Sequence, residues 1–183
     1  MKPATLAGPF HFVGIGGAGM SPLAEFLRTQ GHIVSGSDER SSEATSRLSA
    51  MGVTVSKGHD PKNIEEARCL VWSSAISTSN SELVAGRTKG LQLIHRGELL
   101  DAVMAPFPQR IAVGGSHGKT TTCAMVTNVL AAAGLDPVAL VGGKFAGSPS
   151  GARLGTGAVF VAEADESDRS FLKLHPTVSL VTN

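Results

Sequence analysis

The sequence predicts an α/β fold in which parallel β-sheets are covered by helices on both faces. Short apolar runs alternate with helical segments along the chain, and this alternation is typical of βαβ units. Two of the apolar runs end in glycine-rich turns, at residues 14–20 and 114–118, and a helical segment follows each turn. Ligands of parallel sheets bind beyond the carboxyl ends of the strands. The two turns are therefore the first candidates for binding sites.

The composition excludes several classes of protein. Of 183 residues, 42% are hydrophobic and 17% are charged, which indicates a globular protein with a buried core. The net charge is +1 and no Lys/Arg cluster occurs, so no nucleic-acid partner is expected. No apolar run reaches the roughly 18 residues of a membrane span, and the N-terminus lacks the apolar core of a signal peptide. No membrane partner and a cytoplasmic location are therefore expected.

The first glycine-rich turn has the pattern of a dinucleotide-binding βαβ unit. A strand predicted at residues 10–15 leads into Gly14-Ile-Gly-Gly-Ala-Gly-Met20, and a helix is predicted at residues 21–30. Asp38 ends the next apolar run, 19 positions after Gly19, where an acidic residue would bind a ribose hydroxyl. The alternative is a tight turn that only packs the helix against the strand.

Further βα units follow. Strands are predicted at residues 53–55, 69–72 and 91–94, and helices at 42–51, 81–89 and 97–104. Polar residues lie at the predicted carboxyl ends of the strands, where they are either ligand-binding groups or helix caps and loop residues. These residues are Ser37, Asp38, Ser73, Ser74, His95 and Arg96. Two prolines within residues 105–110 indicate a linker, so domains are predicted at 1–105 and 106–183.

The second turn resembles a phosphate-binding loop. An apolar strand at residues 111–113 precedes Gly114-Gly-Ser-His-Gly118, and Lys119 and Thr120 begin a helix predicted to reach residue 133. Backbone N–H groups of such a loop surround phosphate oxygens, the lysine reaches the β- and γ-phosphates, and the threonine hydroxyl binds Mg²⁺. Val113 stands where the strict pattern has glycine. The alternative is a glycine-rich turn with a chance Gly-Lys-Thr.

An acidic run follows a later buried strand. A strand is predicted at residues 137–141, a loop at 145–157 and another strand at 158–162, which ends in Glu163-Ala-Asp-Glu-Ser-Asp168. A carboxylate at a strand end opposite a phosphate loop is the arrangement that holds Mg²⁺ in phosphoryl transfer. The alternative is an acidic loop that caps the next helix.

The remaining features carry less information. Cys69 and Cys123 are far apart in sequence and are predicted to be small buried side chains. His11, His32, His59 and His175 form no metal-ligand spacing and are interpreted as structural or exposed. A last strand, at residues 177–183, ends the chain without a following helix, which suggests a fragment of a longer protein.

These motifs, in this order, resemble the Mur ligases of peptidoglycan synthesis, and within them the branch that joins L-alanine to UDP-N-acetylmuramate. The resemblance covers essentially the whole chain, and the missing glycine at position 113 is also typical of the family. It rests on the sequences His11-Phe-Val-Gly-Ile-Gly-Gly-Ala-Gly-Met20, Gly36-Ser-Asp38, Ser73-Ser-Ala-Ile76, Gly115-Ser-His-Gly-Lys-Thr-Thr121, Glu163-Ala-Asp-Glu-Ser-Asp168 and Val181-Thr-Asn183.

The resemblance implies a Rossmann-like domain that binds the UDP part of the substrate rather than NAD, followed by an incomplete central ATPase domain. The implied UDP-sugar site consists of Gly16, Gly17, Gly19, Ser37, Asp38, Ser73, Ser74 and Arg96. The implied ATP site consists of Gly115, Ser116, His117, Gly118, Lys119, Thr120 and Thr121. Thr120 and Glu163 would hold Mg²⁺, and Lys119 and Glu163 would be catalytic. The implied substrates are UDP-N-acetylmuramate, ATP and L-alanine, and the implied reaction passes through an acyl phosphate.

The chain departs from the family pattern at two motifs and in its extent. Ser116 stands where threonine is usual, and His95-Arg96 stands where a pair of arginines is common. A histidine associated with the metal and a third domain, which supplies an arginine, would lie beyond Asn183. The 183-residue chain alone is therefore predicted not to ligate.

Two alternatives stay open. The sister ligase that adds a whole tripeptide to UDP-N-acetylmuramate has the same loop and acidic run, but that run tends to continue with Tyr-Asp, where this chain has Ser167-Asp168. Its glycine turn also differs from the one that contains Gly16 and Gly17. The other alternative is a module without enzymatic activity that binds a UDP-sugar or NAD, which would leave the phosphate loop unexplained.

Overall fold

A computed structural model of the chain describes residues 8–145, 148–165 and 169–183. The chain divides into two compact units, Met1–Arg96 and Gly97–Asn183. The division falls before the linker predicted at residues 105–110, and the domain limits stay a prediction. Within the described residues, no helix is long and apolar enough to cross a membrane.

The first unit contains a five-stranded sheet in which every pair of neighbours is parallel. Its strands are β1 (Phe10–Val13), β2 (Val34–Asp38), β3 (Thr54–Lys57), β4 (Cys69–Trp72) and β5 (Gln92–His95). Their order across the sheet is β3-β2-β1-β4-β5. The carboxyl ends of all five strands therefore lie at one edge, as the parallel α/β class requires, and the predicted fold class is confirmed.

Three α-helices and a short 3-10 helix connect these strands. They are α1 (Ser21–Thr29), α2 (Glu43–Ala50), the 3-10 helix Pro61–Ile64, and α3 (Ser81–Thr88). Local side chains fix where the helices begin. Ser42 and Thr45 form a reciprocal capping box on α2, and the Asn80 side chain accepts hydrogen bonds from the first backbone N–H groups of α3.

The core of the first unit is built mainly from apolar side chains of the central strands. Phe10, Phe12 and Val13 of β1 are fully buried, and Leu70 and Leu83 pack with Val13 in one cluster. His11 interrupts this apolar strand and is also buried. Since a buried polar ring needs partners, its position indicates a polar contact inside the unit.

The second unit contains a five-stranded sheet of mixed direction. After α4 (Arg96–Met104) come β6 (Gln109–Gly114), α5 (Lys119–Ala132), β7 (Val138–Leu140), β8 (Ala152–Arg153), β9 (Val159–Glu163), the 3-10 helix Ser170–Lys173 and β10 (Val178–Val181). The order is β10-β6-β9-β7-β8, and only the β7–β8 pair is antiparallel. Residues Val113, Cys123, Val141 and Val161 are among those that form its core.

Two predicted boundaries in the second unit were wrong. Strand β6 begins at Gln109, inside the predicted linker, because the Arg110 N–H donates to the Thr177 hydroxyl and the Thr177 N–H donates back to the Arg110 carbonyl. The predicted loop at 145–157 contains β8, whose two residues are too few to show a sequence period. The Arg153 guanidinium binds the Asp136 carboxylate at 2.9 Å, which fixes this strand beside β7.

Candidate functional site

The glycine-rich turn between β1 and α1 is held by the carboxyl end of β2. The Ser37 carbonyl accepts hydrogen bonds from Gly14 N at 2.8 Å and Ile15 N at 3.0 Å. The Asp38 carboxylate accepts one from Gly16 N at 2.8 Å, through Oδ2. Asp38 thus shapes the turn directly. The contact from Asp38 to a ribose hydroxyl stays a prediction. It would use carboxylate lone pairs that the bond from Gly16 N does not occupy.

Arg96 lies against the same turn. A Cβ atom placed on Gly19 would be 2.8 Å from Arg96 Nη1, so glycine is the residue that lets the guanidinium approach the backbone. The turn also precedes the N-terminus of α1, where the helix dipole contributes partial positive charge. The structure therefore brings a fixed cation and a helix N-terminus together, which is a suitable environment for a diphosphate.

The other predicted UDP-sugar residues occupy different environments. Gly17 is exposed, and Ser73 and Ser74 lie in the loop after β4, half-buried and exposed respectively. The same loop reaches the turn through Ile76, whose Cδ1 would be 2.9 Å from a Cβ on Gly14. Ser37 is fully buried, and its hydroxyl points to Glu82. Its side chain is thus used inside the protein, while its carbonyl shapes the turn.

A polar cavity of about 140 Å³ opens beside Asp38. Its lining combines two cationic side chains, one carboxylate and five hydroxyl groups, which suits a ligand with an anionic or hydroxyl-rich end. The sequence reasoning singled out only Asp38 among these residues. The lining residues are Asp38, Arg40, Ser41, Thr45, Ser46, Ser49, Val55, Ser56 and Lys57.

The second turn has the backbone conformation of a strand-loop-helix phosphate site. It joins β6 to α5, and Gly118 adopts φ +80° immediately before the helix begins at Lys119. Gly115 adopts φ +124°, and a Cβ at this position would collide with the Thr182 hydroxyl. Glycine at position 115 is therefore required both by the backbone conformation and by the close approach of β10.

Lys119 lies folded back over the loop. Its ammonium group donates to the Gly115 carbonyl at 2.7 Å. This contact holds the positive charge above the loop backbone, where the phosphates of a nucleotide would lie. The side chain is thus near its expected place, although the phosphate contact itself stays a prediction.

Thr120 and Glu163 come together although 43 residues separate them. The Thr120 hydroxyl donates to Glu163 Oε2 at 3.0 Å, and Gly142 N donates to the same oxygen at 2.9 Å. Adjacent oxygen ligands of an octahedral Mg²⁺ site are about 2.9 Å apart, since Mg–O distances are about 2.05 Å. The pair therefore fits Mg²⁺ in both donor type and spacing.

Thr120 and Glu163 would supply only part of a magnesium shell. Among the described residues, no group of three or more His, Cys, Asp or Glu side chains is arranged to hold a metal. Phosphate oxygens and water commonly occupy the other positions around Mg²⁺. Of the acidic run, Glu166, Ser167 and Asp168 lie outside the described residues, and Glu163 is the carboxylate that meets Thr120.

The sequence reasoning missed a second support of the phosphate loop. The Thr182 hydroxyl donates to the His117 carbonyl at 2.5 Å. The main-chain oxygen of Asn183 accepts from Ser116 N, and its side-chain oxygen accepts from His117 N, each at 3.0 Å. A nucleotide that accepts hydrogen bonds from Ser116 N and His117 N must therefore displace the two Asn183 oxygens. No local sequence pattern reports such contacts, which join segments more than 60 residues apart.

Replacing Thr182 by valine is expected to weaken ATP binding by roughly fivefold, because the loop loses one hydrogen bond worth about 1 kcal/mol. Titration calorimetry with ATP and Mg²⁺ would measure the change. Ser179→Val, an exposed substitution on the same strand, is the matched control and is expected to bind ATP as the parent chain does. Equal affinities for all three proteins would contradict a supporting role for Thr182.

Both cysteines are buried, as predicted. Burial, together with the nearby negative charge of Glu163, raises the pKa of the Cys123 thiol to about 12. Burial alone raises the pKa of Cys69 to about 11. Neither forms a disulfide. Since the thiolate is the reactive form, neither side chain is a candidate nucleophile near neutral pH.

Parallel α/β units with glycine-rich turns at their strand ends are the architecture of nucleotide-binding proteins. The family profile described as "Mur ligase family, catalytic domain" matches residues 9–108, more than half of the chain. The chain therefore belongs to the Mur ligase family.

Individual relatives agree with this assignment. UDP-N-acetylmuramate–L-alanine ligase of Burkholderia cenocepacia is 49% identical over 173 residues, which cover 94% of this chain and 37% of the relative. The enzyme of the same name from Sorangium cellulosum is 51% identical over 173 residues, with the same coverage. The chain thus spans little more than a third of these relatives.

Solved structures show the same fold. The crystal structure of UDP-N-acetylmuramate-alanine ligase MurC from Thermotoga maritima matches with a TM-score of 0.88 and 31% identity, over 95% of this chain and 41% of that one. The UDP-N-acetylmuramate:L-alanyl-gamma-D-glutamyl-meso-diaminopimelate ligase of Neisseria meningitides matches with a TM-score of 0.85 and 29% identity, over 94% of this chain and 60% of that one.

Proposed function

We propose that the chain is the N-terminal part of an ATP-dependent ligase of peptidoglycan synthesis. The complete enzyme joins L-alanine to the lactyl carboxylate of UDP-N-acetylmuramate. The observation that carries this proposal is the pairing of Thr120 with Glu163 beside the phosphate loop, in a chain about half identical to ligases of that name. A reaction that consumes ATP and a uridine nucleotide belongs in the cytoplasm.

The first domain, residues 1–105, is proposed to bind the UDP-sugar. The diphosphate of the UDP-sugar would lie against the turn after β1, where the N-terminus of α1 and the Arg96 guanidinium offer positive charge. The polar cavity beside Asp38 suits the uridine end, because its hydroxyl groups and cations match a hydroxyl-rich ligand. The proposed site residues are Gly16, Gly17, Gly19, Ser37, Asp38, Ser73, Ser74 and Arg96.

The second domain, residues 106–183, is proposed to bind ATP and Mg²⁺. Its site residues are Gly115, Ser116, His117, Gly118, Lys119, Thr120 and Thr121, with Glu163 as the second metal ligand. Bound there, Mg²⁺ would neutralise charge on the phosphate oxygens. Thr120 and Glu163 would hold it, while Lys119 would exchange its bond to the Gly115 carbonyl for a phosphate oxygen.

The chemistry consists of two transfers. An oxygen of the lactyl carboxylate attacks the γ-phosphorus, the bond from that phosphorus to the bridging oxygen of ADP breaks, and an acyl phosphate forms. The amine of L-alanine then attacks the acyl carbon, phosphate leaves, and the nitrogen loses a proton. Lys119 stabilises the charge that develops on the phosphoryl oxygens, so these residues act by positioning and electrostatics.

A second candidate function is that of the sister ligase that adds a whole tripeptide. The similarity to the Neisseria structure, with a TM-score of 0.85, supports it, whereas the identities near 50% to L-alanine ligases favour the first. In the sequence, Ser167 and the turn with Gly16 and Gly17 favour the L-alanine ligase, and Ser167 lies outside the described residues. A module that binds NAD without catalysis would not explain the phosphate loop.

Titration calorimetry of the 183-residue chain with three compounds tests the proposal. UDP-N-acetylmuramate and ATP with Mg²⁺ are each expected to bind at a 1:1 ratio, and NAD is expected not to bind. Arg96→Ala should weaken binding of the UDP-sugar at least tenfold, since a charge-assisted hydrogen bond to phosphate is worth about 1.5–3 kcal/mol. NAD binding without UDP-sugar binding would contradict both ligase proposals.

The 183-residue chain alone is expected not to ligate, because it spans only about 37% of its relatives. Incubation with UDP-N-acetylmuramate, L-alanine, ATP and Mg²⁺, followed by measurement of ADP, would check this. ADP release that depends on L-alanine would show the expectation to be wrong.

A further inference from the structure

A buried carboxylate in the first unit connects three segments of the proposed UDP-sugar site. Glu82, in the first turn of α3, is fully buried. Its Oε2 accepts a hydrogen bond from the Ser37 hydroxyl at 2.5 Å, and its Oε1 accepts one from Asn63 Nδ2 at 2.7 Å. His59 Nδ1 and His11 Nε2 lie 3.3 and 3.5 Å from Oε2. These five residues are called the Glu82 cluster below.

The positions of two protons in the cluster, on Ser37 and on His59, follow from its geometry. Ser37 has one hydroxyl proton, which it donates to Glu82. His59 Nδ1 lies 2.8 Å from the same hydroxyl oxygen, and it must carry a proton because neither that hydroxyl nor a carboxylate has another to offer. On the other ring, His11 Nδ1 lies 3.0 Å from the Ser35 hydroxyl, and Nε2 faces Glu82 Oε2 at 3.5 Å.

These donors keep the carboxylate ionised although it is buried. Burial by itself raises the pKa of Glu82, but the neighbouring His11 ring and the hydrogen bonds from Ser37 and Asn63 outweigh burial and lower the pKa below its ordinary value of 4.5. The cluster thus holds a negative charge inside the unit. A buried charge is tolerated only where its partners are fixed in place, so the cluster ties together the segments that supply them.

The first of these segments forms the floor of the glycine-rich turn. Ser37 offers its side chain to Glu82 and its carbonyl to Gly14 N and Ile15 N. The next residue, Asp38, binds Gly16 N. A displacement of the Ser37 side chain would therefore be transmitted to three consecutive amides of the turn.

The other segments flank the turn. The loop after β3 is tied in by His59, whose carbonyl accepts from the Ser81 hydroxyl at 2.7 Å, and by Gly58 N, which donates to the Asp38 carbonyl at 2.8 Å. The loop that contains Ser73 and Ser74 ends at Asn80, whose side chain caps α3 immediately before Glu82. Glu82 therefore sits where the ends of β2 and β3 and the start of α3 meet.

We infer that Glu82 is a positioning residue that fixes the turn at residues 14–19 for the diphosphate of the UDP-sugar, acting through Ser37. The inference rests on the proposed function for the identity of the ligand. Nothing in it requires Glu82 to touch the ligand, because the carboxylate is fully buried.

The test compares Glu82→Gln with Glu66→Gln, an exposed change of the same type in the same unit. Calorimetry on the 183-residue chain is expected to show about tenfold weaker binding of UDP-N-acetylmuramate for Glu82→Gln and unchanged binding for Glu66→Gln. ATP affinity, read on the same samples, should be unchanged in both. Glu82→Asp keeps the charge but withdraws the carboxylate by one methylene group, so it should also weaken UDP-sugar binding.

Amide hydrogen exchange provides a readout that needs no ligand. Faster exchange at Gly14, Ile15 and Gly16 is expected in Glu82→Gln and Glu82→Asp, and exchange in α5 should not change. If the parent chain binds no UDP-sugar, the proposed function fails, and exchange at these three amides still decides the positioning role. If Glu82→Gln does not fold, Glu82→Asp carries both measurements. Parent-like affinity or parent-like exchange in a folded Glu82 variant would overturn the inference.

The difference in stability between the parent chain and Glu82→Gln should decrease at acidic pH. Because the folded-state pKa lies below 4.5, the ionised carboxylate stabilises the fold fully above that pH and loses its effect as the pH falls through the folded-state pKa. The titratable groups that face it are His11 of β1 and His59 after β3. The difference in urea midpoint between the parent chain and Glu82→Gln is expected to persist from pH 7.5 to about 4.5 and to shrink below. A difference that stays constant as the pH falls well below 4.5 would contradict an ionised Glu82.

Discussion

Replacing Lys119 by alanine is expected to lower the ligation rate of the complete ligase by about 10³-fold. In the proposed site Lys119 would supply a positive charge beside the γ-phosphate, where negative charge develops during phosphoryl transfer, and removing such a group typically costs 10²–10³-fold in rate. The fold should be unaffected, because alanine is a good first residue for α5 and the lysine's bond to the Gly115 carbonyl is local. Release of ADP in the presence of both co-substrates would measure the rate.

Lys173→Ala is the matched control for this change. Lys173 lies in the same unit and pairs with Glu98 at 2.7 Å, but both side chains are exposed. Surface pairs of this kind contribute little to stability, so this variant should ligate at the parent rate. A Lys119→Ala ligase within threefold of the parent would contradict the proposed role of the phosphate loop.

Replacing Glu163 by glutamine is expected to have the second largest effect. The amide can still accept the hydrogen bonds from Thr120 and Gly142 that Oε2 accepts now, so the fold is retained. It lacks the negative charge that Mg²⁺ requires of a strong oxygen ligand. We expect the Mg²⁺ concentration needed for half-maximal ATP binding by the 183-residue chain to rise at least tenfold.

A magnesium titration at fixed ATP, followed by calorimetry, would measure this shift. Glu98→Gln, an exposed change on α4, is the control and should leave the titration where the parent has it. Thr120→Val should shift the titration in the same direction as Glu163→Gln, because it removes the other protein ligand. An unchanged titration in Glu163→Gln would exclude Glu163 from the metal site.

The sequence predicted most of what lies within one strand-turn-helix unit. Each glycine-rich turn is one uninterrupted stretch of sequence. Spacing alone therefore identifies its glycines, and it also identifies Lys119 and Thr120 after the second turn. Thr120 and Glu163 could be paired in advance because each follows the end of a strand, and parallel strands bring such ends to one edge of a sheet. The 3.0 Å contact between them agrees with that prediction.

Contacts between side chains far apart in sequence could not be predicted in this way. His11 and His59 fit no ligand spacing, yet both lie near Glu82, because β1 pairs with β2 and the Glu82 side chain reaches residues of both strands. Thr182 and Asn183 likewise reach the phosphate loop only because β10 pairs with β6. A buried glutamate in the first turn of a helix leaves no periodic signal in the sequence.

A crystal structure of the chain grown with UDP-N-acetylmuramate, ATP and Mg²⁺ would test most directly whether there are two separate nucleotide sites. We expect electron density for the UDP diphosphate beside Gly16, Gly19 and Arg96. We expect density for the ATP triphosphate within the loop formed by residues 115–121. Magnesium is expected between Thr120 and Glu163. Either site empty, or the first filled by NAD when NAD is added in competition, would contradict the proposal.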